Sequence, residues 1–253
     1  MATRRRSTQR KEGHAAGTSA GRPADRPSPL SPAEVEEFFR RLAEVDPLPT
    51  TELEYRDPFT LLVAVVLSAQ ATDKGVNRVT RELFRHARTP QDFVRLGEEG
   101  IARYIRSLGL WRAKARNLYR LSQILIERHG GQVPRTREEL EALPGVGRKT
   151  ANVVLNTVYG EPTIAVDTHV FRVANRTGLA PGRTPREVEE KLLRVVPEAY
   201  RRGAHHWLIR LGRYTCRARR PACWRCPVAD LCRYPDKTPP PSAGSGRNGD
   251  TAG

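Results

Sequence analysis

The sequence predicts an all-α protein, and three observations carry that expectation. Helix starts recur as a capping residue followed by proline, apolar residues after them repeat at helical spacing, and strand-like alternation is nearly absent. Ser31-Pro32 with Glu34, Asp57-Pro58, Thr89-Pro90 with Asp92, and Thr184-Pro185 with Glu187 each set a side-chain oxygen before a proline. The fixed φ of that proline suits the first helical position. Phe93, Leu96 and Ile101 continue one such start, and Val188, Leu192, Val195 and Val196 another. Phe59–Ala71 is the longest apolar run. It is too short to span a bilayer and holds Thr60, Ser68 and Gln70, so it reads as a buried helix and not a membrane segment. Thr136 and Glu139 spell a capping box before Leu140 and Leu143. Pro162-Thr163-Ile164-Ala165-Val166 is the single strand candidate and is expected only to bridge two helices. No internal repeat of fixed period is present.

The most informative stretch is Leu143-Pro144-Gly145-Val146-Gly147-Arg148-Lys149-Thr150-Ala151. It lies between two helix-like runs, the second continuing through Val153, Val154 and Val158 to Gly160. Two glycines around one small apolar residue make a tight turn whose amides can face outward and which another molecule can approach closely. Such amides, added to a helix N-terminus, suit a backbone phosphate. A lone Gly-x-Gly would equally serve packing. The following Arg148-Lys149 pair, in a chain of 253 residues with net charge +16, favours nucleic-acid contact.

That charge is not only a tail effect. Residues 1–30 carry seven Lys/Arg and two Asp/Glu, which leaves +11 on the rest. An acidic polymer is the natural partner. The segments 1–30 and 237–253, rich in Gly, Pro, Ser and Ala, read as disordered tails. Arg4-Arg5-Arg6 has no apolar run behind it, which speaks against a secretory signal.

All four cysteines fall within 17 residues, Cys216, Cys223, Cys226 and Cys232, spaced C-x6-C-x2-C-x5-C. Without a secretory signal, and with such clustering, an all-cysteine metal site is favoured over disulfides. Spacing leaves tetrahedral zinc and a [4Fe–4S] cluster both open. Arg213, Arg217, Arg219, Arg220, Arg225 and Arg233 surround these ligands against the single acid Asp230. They would balance a negative cluster, present a basic face to DNA, or do both.

Lys149 stands in the first turn of its helix, where the macrodipole and Arg148 both disfavour its charge. A neutral amine is a nucleophile able to form a Schiff base. A phosphate contact is the equal alternative. Asp167, in Val166-Asp167-Thr168-His169-Val170-Phe171-Arg172, is by default a helix N-cap. Brought beside the amine, it would assist departure of a base and stabilise positive charge on a sugar. His169, His205 and His206 read as structural.

Three segments in this order, LPGVGRKTANVVLN over 143–156, TIAVDTHVFR over 163–172 and the four-cysteine tail, resemble the endonuclease III family. The resemblance covers about Ser31 to Asp236. It implies a helix-hairpin-helix DNA glycosylase fold, with a six-helix barrel domain over 51–160 and an iron–sulfur cluster domain combining 31–50 with 161–236. The implied activity is that of a bifunctional DNA N-glycosylase and AP lyase, removing oxidised pyrimidines such as thymine glycol from duplex DNA. Lys149 matches the nucleophile and Asp167 its supporting carboxylate. Cys216, Cys223, Cys226 and Cys232 match the ligands of a [4Fe–4S] cluster, which favours iron over zinc. Gly145, Val146, Gly147 and Arg148 match the DNA-gripping hairpin. Gln70 matches the polar side chain that fills the gap left by an extruded base, and Leu110 the apolar wedge. Read without the resemblance, Leu110 is a core residue and Gln70 a polar helix end. The implied partner is double-stranded DNA with a damaged base or abasic site, bound by a monomer in the bacterial cytoplasm at the nucleoid, with no membrane. The alternatives are a pyrimidine-dimer or mismatch-specific glycosylase on the same scaffold, or a non-enzymatic DNA-binding module with structural zinc. A module would need neither Lys149 nor Asp167.

Overall fold

Side-chain caps start seven of the ten α-helices among the described residues. The structure is a computed structural model that describes residues 28–241, so the expected tails lie largely outside the described residues. In chain order the helices are α1 (Pro32–Val45), α2 (Pro58–Leu67), α3 (Asp73–His86), α4 (Pro90–Ile105), α5 (Trp111–His129), α6 (Arg137–Glu141), α7 (Arg148–Tyr159), α8 (Thr168–Thr177), α9 (Pro185–Val195) and α10 (Glu198–Arg210). A π-helical turn, Leu211–Thr215, continues α10, and a 3-10 turn spans Cys223–Arg225. The four proline-marked starts fall where expected. Ser31, Asp57, Thr89 and Thr184 each accept from the backbone N–H three residues on. The uncapped helices are α5, α7 and α10, which begin after Leu110, Gly147 and Pro197.

Two departures from the expected elements have local causes. The apolar run from Phe59 is helical only to Leu67, and the chain then turns through Gln70 at φ 54°. The run containing Phe93, Leu96 and Ile101 is broken inside α4 at Gly97, whose φ of 69° and ψ of 171° no helix accommodates.

Buried side chains form two cores. The first gathers α2 to α7 around α2, in which every residue from Phe59 to Leu67 is buried. A helix apolar all round belongs at the centre of a bundle. The second gathers α1 with α8, α9 and α10. α1, first in sequence, joins this later group through Phe39, whose ring lies 5.9 Å from Tyr200 and 6.2 Å from Trp207. The Trp207 indole N–H also donates to the Asp46 carbonyl at 2.8 Å. Fully burying each such side chain contributes about 1.5–3 kcal/mol, which fixes the N-terminal helix on the C-terminal half.

The segment 160–167 connects the two cores. No described residue is in a β-strand, and this segment is extended without a partner strand. Side chains satisfy part of its polar backbone, beside the backbone bonds from Glu161 N–H to Leu155 and from Thr163 N–H to Glu161. The Asn156 amide donates to the carbonyls of Glu161 (3.1 Å) and Thr163 (3.0 Å), and the Thr163 hydroxyl to the Asn152 carbonyl (2.7 Å). Successive side chains of extended backbone point to opposite sides. Ile164 and Val166 accordingly enter the second core while Ala165 enters the first. The connector thus ties α7, which begins with Arg148-Lys149, to α8, which Asp167 caps.

Candidate active site and nucleic-acid interface

A cleft of about 460 Å³ lies between the two cores and is lined by Gln70, Asp73, Lys149, Asp167, His205 and Arg213, among others. The structure therefore brings together Lys149, Asp167 and Gln70, which the sequence singled out. It adds Asp73, Arg213 and Glu52, to which the sequence gave no cleft role.

Lys149 is the second residue of α7 and half-buried. Its amine is pushed below its ordinary value of 10.5, first by burial and then by the Arg213 guanidinium, while Asp167 and Asp73 pull it back up. The direction agrees with the sequence argument; the cause differs. Arg148 is not the neighbouring cation. Its guanidinium turns to Glu189 on α9, with Nε 2.9 Å from Oε2 and Nη2 2.9 Å from Oε1. Glu189 is only 4% exposed, so this bidentate pair clamps the start of α7 onto the second core. The Arg148 side chain, expected to grip DNA, is held by a buried carboxylate in the unbound protein, which leaves its backbone N–H at the hairpin. Arg213, expected in the ligand loop, is carried into the cleft by the π-helical turn. It pairs with Asp73 at 2.7 Å and Glu52 at 2.9 Å.

Asp167 does cap a helix. Its Oδ1 accepts from the His169 and Val170 N–H groups, both at 2.8 Å. That leaves Oδ2 without a donor among the described residues. No ion pair joins it to Lys149, although its charge raises the Lys149 pKa from across the cleft. The cap is held in place by α8 docking on the π-helical turn. A Cβ on Gly212 would come within 2.8 Å of the His169 Cβ, and Arg172 donates to the Gly212 carbonyl at 2.8 Å. His169 serves this packing, as its structural reading anticipated.

In the hairpin, Val146 is buried and its N–H donates to the Leu143 carbonyl at 3.1 Å. The N–H groups of Gly147, Arg148, Lys149 and Thr150 precede the first α7 bond, from Ala151 to the Gly147 carbonyl, and no side chain caps them. These orphan donors suit an anion. The glycines have separate duties. Gly145 has φ 80°, and a Cβ there would lie 2.8 Å from the Asn117 amide nitrogen and 3.1 Å from its Cβ. Gly147 has φ −105° and open space where a Cβ would stand. Gly145→Ala is therefore expected to destabilise by about 2 kcal/mol or more, lowering Tm by about 4–8 °C. Gly147→Ala should shift Tm by under about 2 °C yet weaken duplex binding several-fold, since its methyl faces the approaching phosphate. Thermal melting and fluorescence anisotropy distinguish the two; equal melting losses would contradict this division.

Gln70 and Leu110 share an unusual property. Both adopt left-handed backbone, at φ 54° and 59°, without being glycine. Each such residue costs about 1–2 kcal/mol, and strain of this kind gathers at functional positions. Leu110 is 58% exposed, which corrects its plain reading as a core residue. Gln70 is exposed too. Their loops adjoin, with the Cβ position of Gly109 3.9 Å from the Gln70 carbonyl.

The four cysteines are free thiols around one small cavity of about 20 Å³. Among the described residues, no three His, Cys, Asp or Glu side chains converge to hold a single ion. Thiols that ring a cavity, without meeting at a point, fit a polynuclear cluster better than one zinc. The donors around them fit anionic sulfur as well. Arg176 Nη1 lies 3.8 Å from Cys216 Sγ and the Tyr234 N–H 3.5 Å from Cys232 Sγ. Burial pushes the Cys226 thiol up to about 11. Of the surrounding arginines, Arg213, Arg225 and Arg233 are engaged by protein partners, while Arg217, Arg219 and Arg220 stand exposed.

Comparison with known proteins agrees with this geometry. Residues 63–198 match the HhH-GPD superfamily of base excision DNA repair proteins, and residues 216–232 match the iron–sulfur binding domain of endonuclease III. Endonuclease III of Haemophilus influenzae is 58% identical over 201 residues, covering 79% of this chain and 95% of that protein. Endonuclease III of Escherichia coli is 57% identical over the same shares. A solved structure of a trapped endonuclease III–DNA covalent intermediate superposes with a TM-score of 0.76 at 46% identity, covering 81% of this chain and 96% of that one.

Proposed function

The chain belongs to the endonuclease III family of HhH-GPD base excision repair proteins, and from that premise we propose how its residues perform the work of a DNA N-glycosylase and AP lyase. The substrate is duplex DNA carrying an oxidised pyrimidine such as thymine glycol, or the abasic site left after excision. The observation that carries the assignment of roles is the pairing across the cleft. A half-buried amine with lowered pKa faces a carboxylate that has one unengaged oxygen and no ion pair with it.

The target nucleotide leaves the stack to reach that pair. Gln70 fills the vacated place and Leu110 wedges the opposite strand. Both are strained and exposed on adjoining loops. The orphan N–H groups from Gly147 to Thr150, set by the Gly145–Gly147 hairpin, hold a phosphate, with Val146 anchoring the turn from within. Neutral Lys149 attacks C1′ while the C1′–N bond breaks and the base departs with the electron pair and a proton. Asp167 stabilises the positive charge that develops on the sugar and amine. Opening of the sugar ring gives a Schiff base between Lys149 Nζ and C1′. Loss of a C2′ proton then expels the 3′ phosphate by β-elimination, and hydrolysis frees the lysine.

Cys216, Cys223, Cys226 and Cys232 hold the [4Fe–4S] cluster, which supplies the structural tie for a loop that presents Arg217, Arg219 and Arg220 to the DNA backbone. The two cores correspond to the barrel and cluster domains. No described helix is long and apolar enough to cross a membrane. We place the enzyme as a monomer in the bacterial cytoplasm, on nucleoid DNA.

Borohydride added to the protein with a thymine glycol duplex is expected to yield a covalent protein–DNA complex. Without borohydride, the strand is cut 3′ to the lesion. Tight duplex binding with neither adduct nor cleavage would overturn the enzymatic reading in favour of a binding module. Zinc in place of iron and sulfide would overturn the cluster.

A further inference from the structure

Two histidines on the cleft have no duty in the chemistry above. His205 and His206 are consecutive on α10, 3% and 7% exposed, with rings 5.1 Å apart in an edge-to-face arrangement. His205 Nδ1 lies 2.8 Å from the Ala165 carbonyl oxygen. A carbonyl only accepts, so Nδ1 carries the proton and Nε2 is left as an acceptor. His206 is different. Neither of its ring nitrogens has a partner among the described residues, and both are sealed from bulk solvent. Leaving buried polar atoms unpaired is costly, and such exceptions call for an explanation. The fold alone would be served as well by a phenylalanine there.

Both rings line the cleft that holds Lys149 and Asp167. Those two act on the sugar, yet the base they release must first be seated within the same cavity. Both imidazoles are neutral under ordinary conditions. Burial and the nearby Arg210 hold His206 down to about 4 against the opposing pull of Asp46. Burial, His206 and the Lys149 amine hold His205 well below the usual range, with Arg213 adding to them and the Ala165 carbonyl opposing. Neutral rings beside a neutral base avoid adding charge next to a lysine that must itself lose a proton.

We propose that His205 and His206 form the edge that reads the extruded base, His205 Nε2 accepting from a ring N–H and the His206 ring, sealed in the unbound cleft, turning to donate to an adjacent carbonyl. The inference rests on the glycosylase reading above. Its chemical class is a pyrimidine with an imide edge, an N3–H flanked by the C2 and C4 carbonyls. Oxidation of the 5,6 double bond leaves that edge intact, so thymine- and uracil-derived lesions all present it. Intact cytosine offers an unprotonated N3 instead and would leave His205 facing another acceptor. The histidines thus select the Watson–Crick edge, and the lesion is distinguished elsewhere, at C5 and C6.

The experiment compares two duplexes with each protein, one containing thymine glycol and one a preformed abasic site that has no base to read. In His206→Phe the ratio of single-turnover excision to abasic-site cleavage is expected to fall at least tenfold, and in His206→Asn by less. An unchanged ratio, whether both rates fall together or neither falls, would overturn the proposal. Wild-type protein labelled with ¹⁵N-histidine gives a second measurement should the variants not fold. Its His205 and His206 signals should move on adding a duplex with uncleavable 2′-fluoro thymine glycol, and not with a tetrahydrofuran abasic analogue. Signals unmoved by the base would reject the contact. A wild type that processes neither duplex would strike the glycosylase reading itself.

Discussion

Lys149→Ala is expected to abolish borohydride trapping and to lower strand cleavage at an abasic site by more than about 10³-fold, while duplex affinity stays within a few-fold. The nucleophile is one atom, and among the described residues no other lysine lines the cleft. Losing covalent catalysis of this kind corresponds to about 4 kcal/mol or more of barrier. Binding, by contrast, draws on hairpin amides and exposed arginines, which the substitution leaves in place. Gel shift beside the trapping assay measures both. Trapping that persists in the variant would refute Lys149 as the nucleophile.

The same substitution carries a stability signature. Burial lowers the Lys149 pKa below its unfolded value near 10.5. Between those two values the unfolded chain holds a proton that the folded chain does not, so wild-type stability rises with pH across that window. Below it, the folded protein bears the full burden of a poorly solvated ammonium. Lys149→Ala should therefore be no less stable than wild type near neutral pH, and any advantage should shrink as pH rises towards 10.5. Melting curves across pH test this sign. A nucleophile is retained here against the preference of the fold.

Asp167→Asn separates the two duties of that side chain. Asparagine keeps an oxygen that can accept from the N–H groups of His169 and Val170, and Asn caps about as well as Asp. Tm should therefore hardly move. Cleavage is expected to fall about 10²–10³-fold, the range for removal of one electrostatic stabiliser. The pH profile identifies the cause. Asp167 raises the Lys149 pKa, so its removal lowers that pKa further. The amine then becomes neutral at lower pH, and the alkaline-rising limb of the residual activity should move to lower pH. Lost activity with that shift would mean the nucleophile is available but unsupported. A limb that moves upward, or a rate that survives unchanged, would remove Asp167 from the chemistry.

The sequence disclosed what is local and missed what is distant. Ser31, Asp57, Thr89 and Thr184 were legible because a cap and its helix lie within four residues of each other. The cysteine site was legible from spacing, although spacing could not choose its metal. Asp167 could be read either as cap or as acid, and the structure engages Oδ1 in the cap. The ion pair of Asp73 with Arg213 spans 140 positions, and that of Arg148 with Glu189 spans 41, so neither leaves a mark on either neighbourhood. Leu110 misled because an exposed leucine in left-handed backbone looks, in sequence, like any leucine of the core. His205 and His206 were read as structural because burial was foreseeable, whereas the absence of partners for His206 was not.

The side chains of Ile164, Ala165 and Val166 alternate between the two cores, which sets a rule for how this gene can change. One residue inserted between Gly160 and Asp167 would exchange the faces of everything after it, sending large side chains where Ala165 sits and turning carbonyls away from Asn156 and His205. Lineages should tolerate length variation at the turn after α5, where Gly130 faces open space, and almost none here. The interval from Lys149 to Asp167 would then behave as a fixed ruler, kept in length even where its letters drift.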